Sequence, residues 1–237
     1  MSPSLTLSCR LMSVVVAAVV AASAGPAAAE PLQWQGQAAL ATELTDRGLS
    51  VFERRPTLQA ELGVSRGRWA LGAALSARAA DGRDRRVLAR LSHYRTLSDD
   101  WQLDGGLGYY GYPGGVYARS FNRVEASAGA SFRDLLSFNL TALHYRAWRG
   151  RRGGLQWAFD AGLRWPLAGA WSLTASLGQA DVPPLPQRRY HYGGVGVAWA
   201  ASGWRVELNR LGADSTAQRL LGETAHPRWS AVVATNF

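Results

Sequence analysis

The sequence contains a single cysteine, Cys9, and no lysine, so all 26 of its basic residues are arginines. Cys9 stands ahead of an apolar run, whereas a lipid-attachment cysteine would follow it. One cysteine in this position allows no disulfide framework and no thiol chemistry in an exported chain. Beyond residue 30 no apolar stretch approaches the roughly 18 residues of a membrane-spanning helix. These absences argue against a disulfide scaffold, a thiol enzyme and a helical membrane protein.

The N-terminal segment has the features of a secretory signal peptide. Arg10 is the only charged residue before Glu30, an apolar run follows it, and Ala27 to Ala29 offer a small-residue cleavage site. We therefore predict a cleaved signal peptide over residues 1–29 and one mature domain over residues 30–237.

The formal net charge of +9 indicates an anionic partner. A basic protein can bind nucleic acid, but an exported chain rarely meets it, so no nucleic-acid partner is predicted. Anionic membrane surfaces and anionic solutes fit an exported chain better. The use of arginine in place of lysine is equally consistent with genomic composition alone.

Alternation of apolar and polar residues, the signature of a half-buried strand, recurs along the mature chain. In residues 155–165 the apolar side chains occupy the odd positions, from Leu155 to Trp165. The pattern is poorest over residues 86–96. It predicts about twelve strands, each close to the 9–11 residues that a tilted strand needs to cross a bilayer: 33–45, 56–65, 68–79, 86–96, 100–112, 121–132, 135–147, 154–166, 170–181, 189–201, 203–211 and 228–237.

The predicted connections alternate between long and short. The short ones are 65–67, 97–99, 133–134, 167–169 and 202, and the long ones are 46–55, 80–85, 113–120, 148–153, 182–188 and 212–227. Outer-membrane barrels have this arrangement, with short periplasmic turns, longer extracellular loops and an even number of strands. The predicted fold class is therefore all-β, a transmembrane antiparallel β-barrel located in the outer membrane of a Gram-negative bacterium.

The last predicted strand ends on an aromatic residue, Phe237, after alternating apolar positions. An open sheet would leave this strand as an exposed edge, so we expect it to pair with the first strand and close the barrel. A terminal phenylalanine is similar to the signature that the barrel-assembly machinery reads, and this machinery is a predicted partner.

The two faces of the predicted strands differ in character. The apolar face carries tryptophans near strand ends, which is typical of an interfacial aromatic girdle. These tryptophans are expected beside the short turns or the termini: Trp34, Trp69, Trp101, Trp165, Trp171, Trp204 and Trp229. The opposite face mixes acids and arginines and is predicted to line the pore: Glu43, Glu61, Arg68, Arg78, Asp104, Arg123, Glu125, Asp160, Arg164, Arg205 and Glu207.

Two stretches, 44–62 and 108–131, resemble a particular family, the TorF-type porins, a proteobacterial family of conserved hypothetical outer-membrane proteins. The matching residues in the first are Arg47, Gly48, Leu49, Ser50, Pro56, Leu58 and Gln59, and in the second Tyr109, Tyr110, Tyr112, Pro113, Gly114 and Glu125. The aromatic stretch that usually precedes Arg-Gly is reduced here to residues 44–46. The resemblance implies an outer-membrane barrel that acts as a channel, and it implies no substrate, cofactor or catalytic residue.

Three functions are compatible with such a barrel. The lumen of a twelve-stranded barrel is wider than that of an eight-stranded barrel, which side chains can fill. It is narrower than that of the sixteen-stranded porins, which have open channels. The first function is a narrow, porin-like channel for passive diffusion of small solutes, with a preference for anions. The second is a closed structural or adhesive barrel whose charged lumen is plugged. The longest loop, 212–227, could fold inward or outward in either case.

The third function is lipid hydrolysis, as in outer-membrane phospholipases, and the sequence gives it little support. Such an enzyme needs a Ser–His pair with an orienting third group. None of His93, His144, His191 and His226 has a serine at strand spacing, although a pair across strands stays open. The histidines are also too far apart to form a metal motif. No catalytic residue, metal or cofactor is predicted.

Arginines in and beside the long loops suggest a further partner, since the planar guanidinium binds phosphate through two parallel hydrogen bonds. These residues either contact lipopolysaccharide and other outer-membrane lipid, or concentrate anionic solutes at the pore mouth: Arg54, Arg55, Arg83, Arg85, Arg86, Arg119, Arg149, Arg151, Arg152, Arg188, Arg189 and Arg219.

Overall fold

The computed structural model describes residues 30–82, 84–113, 119, 121–145, 154–182 and 185–237. Twelve antiparallel strands form a closed barrel in which neighbours along the chain are neighbours in the sheet. They are β1 (Gln33–Ala41), β4 (Thr57–Arg66), β5 (Trp69–Arg78), β6 (Arg85–Thr96), β7 (Trp101–Gly111), β8 (Arg123–Phe132), β9 (Leu136–Tyr145), β10 (Leu155–Pro166), β11 (Trp171–Val182), β12 (Leu185–Ala201), β13 (Trp204–Ala213) and β14 (Arg228–Asn236). The predicted fold class and strand number are confirmed.

Two smaller units lie in the connections. A hairpin of β2 (Thr45–Asp46) and β3 (Leu49–Ser50) separates β1 from β4. Helix α1 (Ser215–Leu221) and a 3-10 turn (Gly222–Ala225) separate β13 from β14, and the carboxylate of Asp214 caps the helix by accepting from the amide of Ala217. Among the described residues, no helix has both the length and the apolar character needed to cross a membrane.

The barrel closes where the sequence predicts it. Strand β14 pairs with β1 over five residues, from Gln37 opposite Asn236 to Ala41 opposite Val232. Gly36 and Phe237 continue this seam by exchanging two backbone hydrogen bonds of 2.8 and 3.0 Å. The alternation of the last strand therefore belongs to a paired strand and not to a sheet edge.

One end of the barrel carries the tight turns. Arg133 and Asp134 between β8 and β9 both have positive φ, as do Ser202 and Gly203 between β12 and β13. Two-residue turns of this type match the right-handed twist of paired strands. We call this the turn end, and the opposite end the loop end.

One predicted connection at the loop end is wrong. The sequence indicated a long loop over 182–188, but β11 continues to Val182 and β12 begins at Leu185, with these two residues paired. The register shifts beside Asp181, so a bulge in β12 takes up the residues that were expected in the loop. A bulge inserts extra residues without ending the sheet, and alternation alone does not reveal it.

The outward face of the barrel is apolar along the middle of the strands. Leu62 of β4, Leu107 of β7 and Leu177 of β11 are about half exposed or more, although each lies within a regular strand. A continuous exposed apolar surface is unfavourable in water and suits contact with lipid chains. The inward face holds the polar and charged residues, as the alternation predicted.

Most of the large aromatic side chains on this outward face gather at the turn end. Trp34, Trp69, Trp101, Trp165, Trp171 and Trp204 all lie at the strand ends nearest the tight turns or at the start of β1. Trp229 lies elsewhere, because β14 begins after the longest loop. It therefore lies at the loop end, and its predicted place in the turn-side girdle is corrected.

Candidate constriction in the barrel lumen

The β2–β3 hairpin crosses the lumen at the loop end. It leaves the wall between β1 and β4, yet its tip contacts β12 and β8, which are three places from β1 and four places from β4 in the ring of strands. Contacts to such distant walls can be made only through the barrel interior. The hairpin thus forms a bar across the lumen.

The tip of the bar is a two-residue turn made by Arg47 and Gly48, which have φ values of 48° and 75°. Positive φ at both positions defines a type I′ turn, which favours glycine. A Cβ atom on Gly48 would lie 2.5 Å from the Cβ of Tyr192 on the β12 wall. Both the backbone conformation and the close contact therefore require glycine at this position.

Four alternating charges fasten the hairpin to β8. Arg123 contacts the carboxylates of Asp46 and Glu125 at 2.6 Å each, and Arg47 reaches both oxygens of Glu125 at 3.0 and 3.1 Å. The Arg123 side chain is only 3 % exposed, and its guanidinium lies 4.1 Å from the centre of the Tyr110 ring. A buried arginine is tolerated because it is paired and hydrogen-bonded, and removing one partner would leave an uncompensated charge. We call these four residues the latch.

The electrostatics of the latch favour the ionised form of Asp46. Burial opposes ionisation of this carboxyl, but the neighbouring Arg123 and Arg47 outweigh burial and lower its pKa to about 2. For Arg47, burial would lower the pKa, but the neighbouring carboxylates of Asp46 and Glu125 outweigh burial and raise it. Asp46 and Arg47 are therefore both charged near neutral pH.

The backbone of the turn is held from two further walls. The hydroxyl of Tyr190 on β12 donates to the carbonyl of Arg47 at 3.1 Å, and Arg228 on β14 donates to the carbonyl of Gly48 at 3.2 Å. Arg228 is itself fixed by a buried ion pair of 2.6 Å with Glu43, just ahead of the hairpin. The bar is consequently held by hydrogen bonds to β8, β12 and β14.

The loop between β13 and β14 completes this end of the barrel. Ala217 and Ala225 are fully buried against inward-facing side chains that include Tyr190 and Val182, so the loop folds inward. Arg54, just beyond the hairpin, donates to the carbonyl of Glu223 at 2.6 Å and joins the two loops. A cavity of about 530 Å³ lies between the hairpin, the β7–β8 wall and α1.

The half of the lumen nearer the turn end is different, because its inward side chains are polar and reach water. Gln35, Arg90 and Asp104 are exposed within it. Several of the larger side chains there lie flat on a glycine of the next strand: a Cβ on Gly129 would meet the carboxylate of Asp104. The inward side chains of this half are accordingly more exposed than those packed around the bar.

The predicted pore-lining residues divide between these regions. The structure brings Arg123 and Glu125 into the latch and Glu43 beside it. Arg78 is paired with Asp81 and Asp84 at the loop end, and Arg68 lies in the turn between β4 and β5. The others occupy inward register positions on the strands: Glu61, Asp104, Asp160, Arg164, Arg205 and Glu207. Their role as lining of a conducting pore stays a prediction.

Residue-by-residue reading of the sequence missed the bar. Asp46 and Arg228 have no role assigned from the sequence, and Arg47 and Gly48 enter only as part of a family motif. The available signal was the Arg-Gly pair, whose two residues suit a type I′ turn. Among the other motif residues, the Ser50 hydroxyl accepts a hydrogen bond from the Arg54 amide at 2.7 Å. Tyr110 and Tyr112 both contact Arg123. Gln59 faces inward, and Pro56 precedes β4. Gly114 lies outside the described residues, and Pro113 lines the cavity.

The histidine on the outward face of β12, His191, contacts Asp214 at 3.2 Å and Gln179 at 3.1 Å. Neither of these partners is a serine. Within the part of the chain that the structure describes, no group of three or more potential metal ligands comes together.

Comparisons with known proteins bear on the architecture. No protein-family model and no curated protein matches the sequence. Among solved structures, the chain is similar to the KdgM porin, with a TM-score of 0.56 and 9% identity over 86% of this chain and 99% of the other. It is also similar to a KdgM porin in complex with disordered oligogalacturonate, with a TM-score of 0.55 and 8% identity over 86% and 98%, and to the NanC porin, with a TM-score of 0.54 and 10% identity over 86% and 99%. At this identity the likeness establishes the fold.

Proposed function

We propose that the protein is an outer-membrane channel of the porin type through which small solutes diffuse passively, and that the β2–β3 hairpin is its constriction. The chain is exported by its N-terminal segment and has no enzymatic activity. Transport is driven by the solute gradient, so the protein contributes a hydrated path and a filter.

The membrane location is supported by the outward face of the barrel. Its exposed leucines form an apolar belt, and the tryptophans at the turn end mark one border of that belt. Transmembrane barrels carry this combination of apolar band and aromatic girdle. The similar solved structures are porins, which adds support from the fold.

The observation that carries the channel proposal is the set of exposed, charged side chains in the turn-end half of the lumen. Arg90 lies 3.6 Å from Glu61, and Arg205 lies 3.2 Å from Glu207, with all four side chains at least a quarter exposed. Charges of both signs that remain in contact with water act on a passing solute without blocking it. Basic residues exceed acidic residues in the whole chain, and we propose a mild preference for anions.

A closed barrel is the second candidate, and the latch is the observation that favours it. Arg123 and Glu125 are buried and hydrogen-bonded across the lumen, as expected of a permanent plug. A closed barrel would act through its outer loops, by adhesion or by stabilising the membrane.

Single-channel recording separates the two candidates. The full chain is expressed in a Gram-negative host, purified from outer membranes and inserted in a planar bilayer under a salt gradient. We expect discrete conductance steps with a reversal potential that shows anion preference, and a shift of that potential in R164Q, which removes an inward charge far from the latch. A silent bilayer, with folding verified by heat-modifiable gel mobility, would instead establish the plugged barrel.

Two partner proposals accompany this location. The rim arginines that the structure describes, such as Arg54 and Arg85, are exposed at the loop end, where they can meet lipopolysaccharide phosphates. Recognition of Phe237 by the barrel-assembly machinery stays a prediction.

A further inference from the structure

Arg210 is a charged residue on the otherwise apolar outward face of β13. The register places it on the outward side with Trp204, Val206 and Leu208, and it pairs directly with Trp229 of β14. Its guanidinium lies 5.8 Å from the centre of the Trp229 ring. Within the described residues, no carboxylate lies within salt-bridge distance of it. An arginine facing lipid is costly near the midplane of a bilayer and less so near the headgroups.

Arg210 lies closer to the turn end than Arg85, an outward arginine at the loop end. Trp204 and Trp69 mark the turn-side border on β13 and β5. Arg210 is six residues from Trp204, which is about 20 Å along the strand. Arg85 is paired with Ala77, eight residues from Trp69, which is about 27 Å along the strand. The apolar belt is therefore shorter beside β13 than beside β5.

The surface directly above Arg210 is formed by two glycines, and Pro227 packs against one of them: a Cβ on Gly212 would lie 3.2–3.3 Å from Pro227. The next outward positions toward the loop end are Gly193 and Gly212, which face each other in register and carry no side chains. Trp229, which is 61% exposed, and the exposed His191 border this glycine floor. The result is a shallow notch with a cation at its base and an indole at its side.

We propose that this notch, formed by Arg210, Trp229, Gly193 and Gly212, binds the phosphate of a phosphorylated glycolipid of the outer leaflet, of the lipopolysaccharide class. A short apolar belt brings headgroups closer to the midplane on this side. The guanidinium and a phosphate can form a bidentate, charge-assisted pair, while the indole occupies the interface beside the acyl chains. A glycolipid is favoured over a phospholipid because the notch lies at the loop end, which faces the exterior in barrels of this class. The inference rests on the proposed membrane location and is independent of channel activity.

The test is lipid binding by the full protein purified from outer membranes and exchanged into neutral detergent. Native mass spectrometry measures the Kd for a diphosphorylated lipid A, for phosphatidylglycerol and for inorganic phosphate. We expect lipid A to bind most tightly, R210Q to weaken it about tenfold, R210K to weaken it less because the charge is retained, and W229L to weaken it severalfold. The matched control is R95Q, which removes an outward arginine at the turn end and leaves the Kd unchanged.

Three outcomes would overturn the inference. Equal affinity for phosphatidylglycerol would show that the notch does not select a glycolipid, and displacement of lipid A by millimolar inorganic phosphate would make it a site for soluble anions. Equal binding by R210Q and the parent would show that Arg210 is not the site. Conductance of R210Q is recorded in parallel, so that failure of the channel proposal is seen separately.

Discussion

Neutralising Asp46 should loosen the bar and raise the conductance of the channel. The carboxylate is three-quarters buried and contacts Arg123 at 2.6 Å and Arg47 at 3.5 Å. Its pKa lies at about 2, whereas the usual value is 3.8. Each pKa unit corresponds to about 1.4 kcal/mol, so the ionised carboxylate favours the docked hairpin by about 2 kcal/mol. This free energy corresponds to a change of roughly 30-fold in the ratio of docked to undocked hairpin.

The direction of the pH dependence follows from the lowered pKa. A carboxyl whose pKa is depressed in the docked state contributes its full stabilisation above about pH 4, and the stabilisation is lost as the pH falls toward 2. We therefore expect the parent channel to show more frequent high-conductance events between pH 4 and pH 2. D46N should show such events already at pH 7.

The assay is single-channel recording of both proteins from pH 7 to pH 2, with D100N as control. Asp100 also has a lowered pKa, caused by its hydrogen bond to Arg133, but it lies in the turn between β6 and β7, away from the bar. Identical conductance and noise in D46N and the parent at pH 7 would refute the reasoning, because the ion pairs of Asp46 would then have no effect on how far the hairpin blocks the lumen.

Three further substitutions test other parts of the structure. Gly48→Val combines a positive φ with a clash against Tyr192, so the bar should undock and conductance should rise while gel mobility shows a folded barrel. Gly178→Leu should lower conductance, because a Cβ there would lie 2.4 Å from the Tyr192 ring and displace the ring into the lumen. The added substitution Tyr192→Ala should restore the conductance, and a double variant that stays at the lowered conductance would contradict this explanation. Ala161→Arg, on the outward face of β10, should lower the free energy of unfolding by about 2–4 kcal/mol in urea titrations in lipid vesicles, whereas Ser137→Arg on the inward face should change it little; equal effects would mean that the two faces are reversed.

The barrel could be predicted from the sequence because its strands and turns are specified by residues that are close together in the chain. Each strand alternates with a period of two, and the turns need only residues that accept a positive φ, as at Arg133 and Asp134. The prediction was wrong where the alternation is interrupted: beside Asp181 a bulge extends β12 through residues that were predicted to form a loop. The end of the barrel at which Trp229 lies was also predicted wrongly. The period of two predicts whether a side chain faces inward or outward, but not whether it lies at the turn end or the loop end.

The bar could not be predicted, because it depends on contacts between residues far apart in sequence. Arg47 meets Glu125 across 78 positions, and Arg228 meets Gly48 across 180 positions. The sequence correctly indicated that Arg123 and Glu125 face inward. It gave no sign that their partners belong to a loop and not to a facing strand, since a charge on an inward face is compatible with a lattice, a pore or a plug.

In the proposed channel, the uneven filling of the lumen would allow a single hairpin to control the solute path. Near the turn end, inward side chains lie against glycines of the adjacent strand, as Asp104 lies against Gly129, and so stay close to the barrel wall. Near the loop end, tyrosines and arginines fill the space around the hairpin and leave it held by discrete, charged contacts. A bar fixed by polar contacts can detach without loss of barrel hydrogen bonds, because its strands β2 and β3 pair only with each other. Closure and barrel stability are thereby separable, and variants of the latch should alter conductance at little cost to folding.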